Sequence, residues 1–336
     1  MGNRYKHLGD YIHKVENRNR DLKVSKLVGL SMTKEFRVST SNIVGTDMSV
    51  YKVVNKWQFS CDFMSVIRVH KFPVVLKIDD DPVLVSPAYT VFEVNDKNEL
   101  NPEYLMMWFR RSEFDRYADF KCDSAIRGGF DWDALCDCML PIPSIEKQRE
   151  IVREYNTIQN RIALNNQMIS KLEDIAQAIY KQWFVDGVDL ENLPEDWEIG
   201  VLEDLIEFKN GKTKPKEFGL FPVYGGNGII EFVNEYNNEN VIPIGRVGAY
   251  CGSVYLEQGI CWVSDNAIFA KSKITKDEFF DYFLLKRLNL FNHHVGTGQQ
   301  LLTQEILNNI EVPKPVTEQI ELFNRKATSI FETIFT

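Results

Sequence analysis

No stretch of about 18 consecutive apolar residues occurs in this 336-residue chain, so no segment reads as a membrane-spanning helix. The opening "MGNRYKHLGDYIHKVENRNRD" is too polar for a secretory signal, and Lys6 stands where a myristoylation motif needs Ser or Thr. The six cysteines (Cys61, Cys122, Cys136, Cys138, Cys251, Cys261) include no C-x-x-C pair. The "CDC" at 136–138 lacks the second ligand pair a zinc site requires, so no metal is expected, and free thiols in a reducing cytoplasm are. Basic residues are outnumbered 39 to 48, a net charge of −9, which argues against coating nucleic acid through bulk charge. With 44% hydrophobic and 26% charged residues the chain has a globular balance, and it is long enough for two cores.

Catalytic signatures are equally scarce. "NGKT" at 210–213 needs a glycine where Ile206 stands to be a phosphate loop, and "GGNG" at 225–228 is not G-x-G-x-x-G. None of His7, His13, His70, His293 and His294 forms a ligand pair at helical spacing, and no G-x-S-x-G elbow accompanies them. "NPEY" at 101–104 is similar to the N-P-P-Y signature of adenine-amino methyltransferases, which grip a flipped base. Here Glu103 takes the third position and no glycine-rich S-adenosylmethionine loop precedes it, so Pro102 reads as the first residue of a helix. An adenine-specific methyltransferase using Asn101, Pro102, Glu103 and Tyr104 therefore stands as the alternative to a chain without chemistry of its own.

What the sequence does have is local charge, a long helix and a repeat. Residues 1–40 hold nine Lys/Arg against four acids, a net of +5, and "KNGKTKPK" at 209–216 carries four lysines and no acid. After "LPIPS", Ser144 is a plausible N-cap and Glu146 suits the first turn. Apolar residues then recur in 4, 3 steps at Ile151, Tyr155, Ile158, Ile162, Ile169, Leu172, Ala176, Ile179 and Trp183, with Asn165 as one polar position. That is a heptad seam, and about 38 residues of helix would make a rod of roughly 57 Å.

Three anchors recur in order. They are "LGDYI" at 8–12 and "LEDLI" at 202–206, then "VLVSPAYTVFEV" at 83–94 and "CWVSDNAIFAKS" at 261–272. Last come "LPIPSIEKQREIV" at 140–152 and "VPKPVTEQIELF" at 312–323, the second leading into a further seam at Ile320, Phe323, Ala327, Ile330 and Ile334. Duplication follows. The expected fold is mixed α/β (α+β), two similar domains separated by long coiled-coil-forming helices. Residues 1–143 form the first domain, 144–186 the central helix, 187–316 the second domain and 317–336 a distal helix.

With "FPVYGGNGIIEFVNEY", "IPIGRVGAYCGSVYL" and "LPEDWEIGVLEDLIEFKNGKTKP", these motifs make the chain resemble the specificity (S) subunit of type I restriction–modification systems. The resemblance covers the second half and central helix closely. It implies two target recognition domains, each reading one half of a split duplex DNA target, and antiparallel helices that fix the spacing. It also implies methyltransferase (M) subunits docked on the helices and a separate motor–nuclease (R) subunit. S-adenosylmethionine, ATP and Mg would then reside on those partners, with none on this chain and no catalytic residue here. A structural coiled-coil scaffold that does not touch DNA is the rival of a different class. The distal helix stops at Thr336, about half the length of its partner, so Ile162 to Trp183 are expected to stay uncovered unless a docked subunit, a second copy or a further segment packs there.

For DNA contact the expected residues are Lys209, Lys212, Lys214 and Lys216, with Arg246, whose small neighbours in "IGRVG" let backbone approach a phosphate and whose side chain suits a guanine edge. In the first half they are Lys34, Arg37 and Arg127, with Tyr89. The glycines at 225–228 read as a tight turn between two strands, with Tyr224 and Asn227 either reaching a base or shaping that turn.

Overall fold

Short β-branched and aromatic runs become strands in both halves, and the one long run free of glycine and proline becomes a single helix. The computed structural model describes residues 5–39, 45–123, 129–188, 191, 193–296 and 298–335. It divides into two compact units, Met1–Ile162 and Ala163–Thr336.

The first unit opens with β1 (Tyr5–His7), β2 (Ile12–Lys14), β3 (Val28–Leu30), β4 (Phe36–Val38), β5 (Lys52–Val54) and β6 (Phe59–Cys61). A short α1 (Val66–Val69), β7 (Val74–Leu76), β8 (Val83–Val85) and β9 (Thr90–Val94) follow. Three helices, α2 (Pro102–Phe109), α3 (Ser112–Asp123) and α4 (Trp132–Cys136), lead to β10 (Met139–Pro141). β2, β9, β6 and β7 form an antiparallel sheet in that order, while β3–β4, β5–β8 and β1–β10 make separate pairs. Under the sheet lies an aromatic core. Phe59 stacks on Phe92 at 4.8 Å, and Phe109 meets Phe114 edge-on at 4.9 Å. Each ring buried there contributes about 2–3 kcal/mol.

The "NPEY" segment starts α2. Asn101 accepts from the backbone N–H of Glu103 (2.8 Å) and Tyr104 (3.1 Å), and Tyr104 donates its hydroxyl to the Pro141 carbonyl at 2.9 Å. The polar groups an adenine site would need are thus engaged in a helix cap and a strand contact.

From Ile145 to Phe184 runs α5, 40 residues without a break. Its start is pinned by Gln148, which is fully buried. Its amide donates to the carbonyls of Glu99 (2.9 Å) and Pro143 (2.8 Å) and accepts from Asn101 N–H at 2.8 Å. A buried amide with every partner in place fixes position as well as register. Val152 is buried beside it, Ile151 and Tyr155 are half-buried, and Ile158 and Ile162 are 60% and 49% exposed.

The second unit holds the remainder of α5, then β11 (Glu198–Val201), α6 (Leu202–Leu205), β12 (Ile206–Asn210), β13 (Phe218–Gly225) and β14 (Gly228–Val233). β15 (Asn238–Gly245), β16 (Glu257–Val263) and β17 (Ala267–Ser272) complete a six-stranded sheet ordered β12-β17-β15-β16-β13-β14, antiparallel except where β13 meets β16. Then come α7 (Phe279–Arg287), α8 (Gln304–Asn308), β18 (Glu311–Lys314) and α9 (Thr317–Phe335). Here α5, α7 and α9 share one core: Phe184 lies 4.9 Å from Phe280 and 5.4 Å from Phe323, and Tyr180 lies 5.6 Å from Phe283. Buried Asn324 of α9 accepts from Phe280 N–H at 2.8 Å and donates to Thr275 and to the Asp277 carbonyl, both at 2.8 Å.

The expected seam needs correction. Ile320 and Phe323 are buried and Ile330 half-buried, as a packed distal helix requires. On α5, however, the core residues of the second unit are Ala176, Tyr180 and Phe184. Ile169, Leu172 and Ile179 are half-buried, and Asn165 is exposed. A straight helix of 3.6 residues per turn drifts about 20° per heptad from a 3.5 repeat, so the buried stripe moves one residue over this length. Trp183 is not left uncovered: Phe323 meets it at 6.4 Å and Lys326 lies over its ring.

The two units repeat several pairings, although the first carries a four-stranded sheet and the second a six-stranded one. Each unit clasps its first strand to its last (β1 to β10, β11 to β18), pairs the next strand with a mid-unit strand (β2 to β9, β12 to β17), and ends in a helix after a P-x-P strand. No helix among the described residues is long and apolar enough to cross a membrane.

Candidate nucleic-acid interface

The sheet of the second unit ends in a cluster of loops. β12, β13, β15 and β16 all finish at the end where β14 and β17 begin, because Asn210 pairs with Ile268, Gly225 with Gly228, Gly245 with Ala267, and Tyr224 with Val263. The loops after these strands are stitched together through backbone. Lys212 N–H donates to the Val263 carbonyl at 3.0 Å, and the Trp262 indole donates to the Lys212 carbonyl at 3.1 Å. Arg246 N–H donates to the Asn266 carbonyl at 3.1 Å, and Leu302 N–H donates back to the Arg246 carbonyl at 2.9 Å. A side chain on Gly245 would run into the carbonyl oxygens of Tyr250 and Gly226, so the 225–228 turn and the 246–250 loop pack backbone to backbone. These bonds spend the loops' N–H groups internally and hold the loops in fixed positions at one end of the sheet, so any contact to phosphates or base edges falls to their side chains.

The "GGNG" stretch forms the hairpin turn expected of it. β13 returns as β14 through Gly226 and Asn227, and Gly228 takes φ +73°, a conformation glycine adopts without strain. Asn227 stands exposed at the tip. Tyr224 does not: it is buried at 6% exposure, and its hydroxyl donates to Glu257 Oε2 at 3.0 Å. Burial, then the neighbouring carboxylate, lifts its pKa well above the ordinary phenol, and the same surroundings push Cys261 to about 12. Tyr224 is therefore an internal strut, a correction to its place among the candidate base-reading groups.

The lysine loop is exposed but unevenly free. Lys209 pairs with Glu207 at 2.8 Å and Lys214 with Glu231, whereas Lys212 and Lys216 extend to solvent. Thr213 donates to Asp265 at 3.2 Å, tying this loop to the 264–266 turn. Arg246 is half-buried, and its Nε has no partner among the described atoms. Lys212, Asn227 and Arg246 thus share one end of the sheet. Asp265, Asn266 and Tyr250, the last 52% exposed, stand beside them and were not singled out from sequence. The signal for Asp265 and Asn266 lies within "CWVSDNAIFA": a Ser-Asp-Asn run between two apolar strands is a turn held at the sheet end.

The first unit fares differently. Lys34 is 4% exposed; its ammonium donates to the Phe109 carbonyl and to Asp115 Oδ1 at 2.7 Å, and burial drags its pKa below the ordinary lysine value. This removes Lys34 from the candidate phosphate contacts, since two internal acceptors already hold it. Arg37 stands exposed on β4, and half-buried Tyr89 packs against the Val28, Val54 and Val83 cluster. Arg127 lies outside the described residues. No group of three or more His, Cys, Asp and Glu is placed to hold a metal ion among the described residues.

Residues 194–335 match the family model of the type I restriction modification DNA specificity domain. The chain is 23% identical over 277 residues to a putative type I restriction enzyme MjaX specificity subunit of Methanocaldococcus jannaschii, covering 71% of this chain and 63% of that protein. It is 35% identical over 112 residues to the type I restriction enzyme HindI specificity subunit of Haemophilus influenzae, 32% of this chain and 24% of that one. The chain thus spans less than two thirds of these relatives. A type I restriction–modification S subunit from M. genitalium has the same fold at TM-score 0.58 and 15% identity, over 98% of this chain and 91% of that one. The resemblance drawn from the sequence motifs is borne out.

Proposed function

We propose, because residues 194–335 match the family model of the type I restriction modification DNA specificity domain, that this chain is the non-catalytic sequence-reading subunit of a type I restriction–modification complex. In this reading each unit contacts one half of a bipartite duplex target. α5 and α9 set the spacing and dock methyltransferase subunits, and a motor–nuclease subunit joins them in the cytoplasm. S-adenosylmethionine, ATP and Mg belong to those partners. The exposed span of α5 at Ile158 and Ile162 is where a methyltransferase subunit or a second copy would pack.

The structural feature that supports the proposal is the loop cluster at one end of the six-stranded sheet, where Lys212 and Asn227 are exposed and Arg246 is half-buried on interlinked backbone. Its test is co-expression with a cognate methyltransferase subunit, followed by genome-wide mapping of methylated adenines. A split motif with a fixed spacer is expected; methylation absent, or unchanged when this chain is omitted, overturns the proposal. The rival in which Asn101 and Tyr104 perform methylation has its polar groups occupied in the α2 cap, and an isolated chain that binds S-adenosylmethionine in a calorimetric titration would revive it. Failure to shift any duplex with the methyltransferase present would instead favour a scaffold that does not touch DNA.

A further inference from the structure

The pairings shared by the two units extend to the loop that follows their second strand. β12 pairs with β17, the lysine loop follows, and β13 then lies parallel to β16 with Tyr224 opposite Val263. In the first unit β2 pairs with β9, residues 15–27 follow, and Leu27 bridges Leu84 of β8 in the same parallel sense. The backbone next turns back as a hairpin, β13–β14 in one unit and β3–β4 in the other. Six residues after Ile12, which opens β2, stands Arg18; six after Ile206, which opens β12, stands Lys212. Both lie level with the strand end before the mid-unit turn, since Lys212 bridges Ser264 and Arg18 bridges Lys52, itself opposite Val85. Residues 15–27 are therefore the first unit's counterpart of the lysine loop.

This counterpart is basic too, on a chain of net charge −9: it carries Arg18, Arg20, Lys23 and Lys26 against Glu16 and Asp21. The two acids are engaged locally, Glu16 by Arg18 at 3.6 Å and Lys52 at 3.2 Å, Asp21 by Lys23 at 3.0 Å. The adjoining turn adds one acid, Asp47, whose side chain caps Ser49 N–H at 2.9 Å. Arg20 and Lys26 stand exposed with no ion pair among the described residues, as Lys212 and Lys216 do in the second unit. The loop that carries them is held in place. Buried Asn19 donates to the Val24 carbonyl at 2.9 Å and accepts from Val24 N–H at 3.2 Å, and Leu84 N–H donates to the Lys26 carbonyl at 2.8 Å. Cations displayed from an ordered backbone lose less entropy on meeting an anionic ligand than cations on a coil. We propose that the first unit meets the phosphates of its half-site through residues 15–27, with Arg20 and Lys26 as the principal contacts. The inference rests on the reading of both units as DNA readers and adds which loop of the first unit carries the charge, a role that buried Lys34 does not fill.

The test uses the full chain assembled with its methyltransferase subunit on a duplex carrying the mapped methylation motif. Anisotropy gives the salt slope, and phosphate-ethylation interference shows which half-site each variant affects. Arg20→Gln with Lys26→Gln should lower the slope by about 1.8, at roughly 0.9 for each phosphate no longer neutralised. Interference should disappear in one half-site only. Lys212→Gln with Lys216→Gln should lower the slope in the same way and clear the other half-site. Arg20→Lys with Lys26→Arg, which keeps both charges, should retain the wild-type slope and pattern. A first-unit glutamine variant that behaves like wild type, beside a second-unit variant that does not, overturns the loop assignment and leaves the DNA reading intact. Loss in the same half-site for both glutamine variants also overturns it, as does a charge-preserving variant as impaired as the glutamine one. If the wild-type complex shifts no duplex, the reading of the chain as a DNA reader fails and this inference fails with it.

Discussion

The hydroxyl of Tyr224 donates to Glu257 Oε2 at 3.0 Å, joining β13 to β16 from inside the second unit. Tyr224→Phe should therefore lower stability by about 1 kcal/mol, through the unpaired carboxylate it leaves, and leave DNA binding alone. Urea unfolding and anisotropy titrations check both halves of this statement. A changed affinity in a variant of wild-type stability would return Tyr224 to the interface.

The lysine loop makes a separable prediction. Replacing Lys209, Lys212, Lys214 and Lys216 by glutamine should flatten the dependence of log K on log salt by up to about 4, at roughly 0.9 for each phosphate no longer neutralised. Lys212 and Lys216, which stand free of ion pairs in the structure, should carry more of the effect than Lys209 and Lys214. An unchanged slope for the assembled complex removes this loop from the interface.

Gly245 and Gly248 share one loop but should answer differently to alanine. At Gly245 a methyl group meets the carbonyl oxygens of Tyr250 and Gly226, both backbone, and the loop cluster must open. A loss of about 2–3 kcal/mol is expected, with weakened DNA binding. At Gly248 the space is open and only the backbone angle, φ +75°, is unfavourable, so about 1 kcal/mol is expected with binding retained. Equal effects in thermal melts would contradict the packing described.

Asp281 supplies a pH prediction. It is 2% exposed, and burial, aided by neighbouring Glu278 and opposed by a hydrogen bond from Ser272, raises its carboxyl from 3.8 to about 7. Between those values the folded chain holds a proton that the unfolded chain has released. Stability from this group is thus complete at low pH and is lost as pH rises from about 4 to about 7. Asp281→Asn should remove that loss, so the stability difference in urea unfolding should move in the variant's favour across this window by on the order of 4 kcal/mol. A gap independent of pH would show that the carboxyl ionises freely in the folded state.

Local chemistry was the part most legible in the sequence. The glycine turn at 225–228, the helix start at Asn101 and the unbroken helix after Ser144 each depend on residues within a few positions of one another, and each formed as expected. The paired anchors were legible too, since a duplicated unit must repeat its strand pairings. Lys34 and Tyr224 were not, because what removes them from the surface comes from afar: Asp115 and Phe109 for the first, Glu257 for the second. No local pattern distinguishes a buried lysine from a solvated one. The seam on α5 was legible as a stripe but not in its final register, since Tyr180 and Phe184 rather than Ile179 and Trp183 enter the core once the helix runs straight.

The strand clasps have a consequence for inheritance. His7 is paired with Met139, and Val201 with Glu311, so in each unit the chain enters and leaves side by side. Everything between those clasps can be replaced by a foreign stretch without moving the two points at which it must be spliced. Each unit is in this sense a cassette. A crossover within the clasp strands would exchange everything between them in one step while the helix that follows keeps its register.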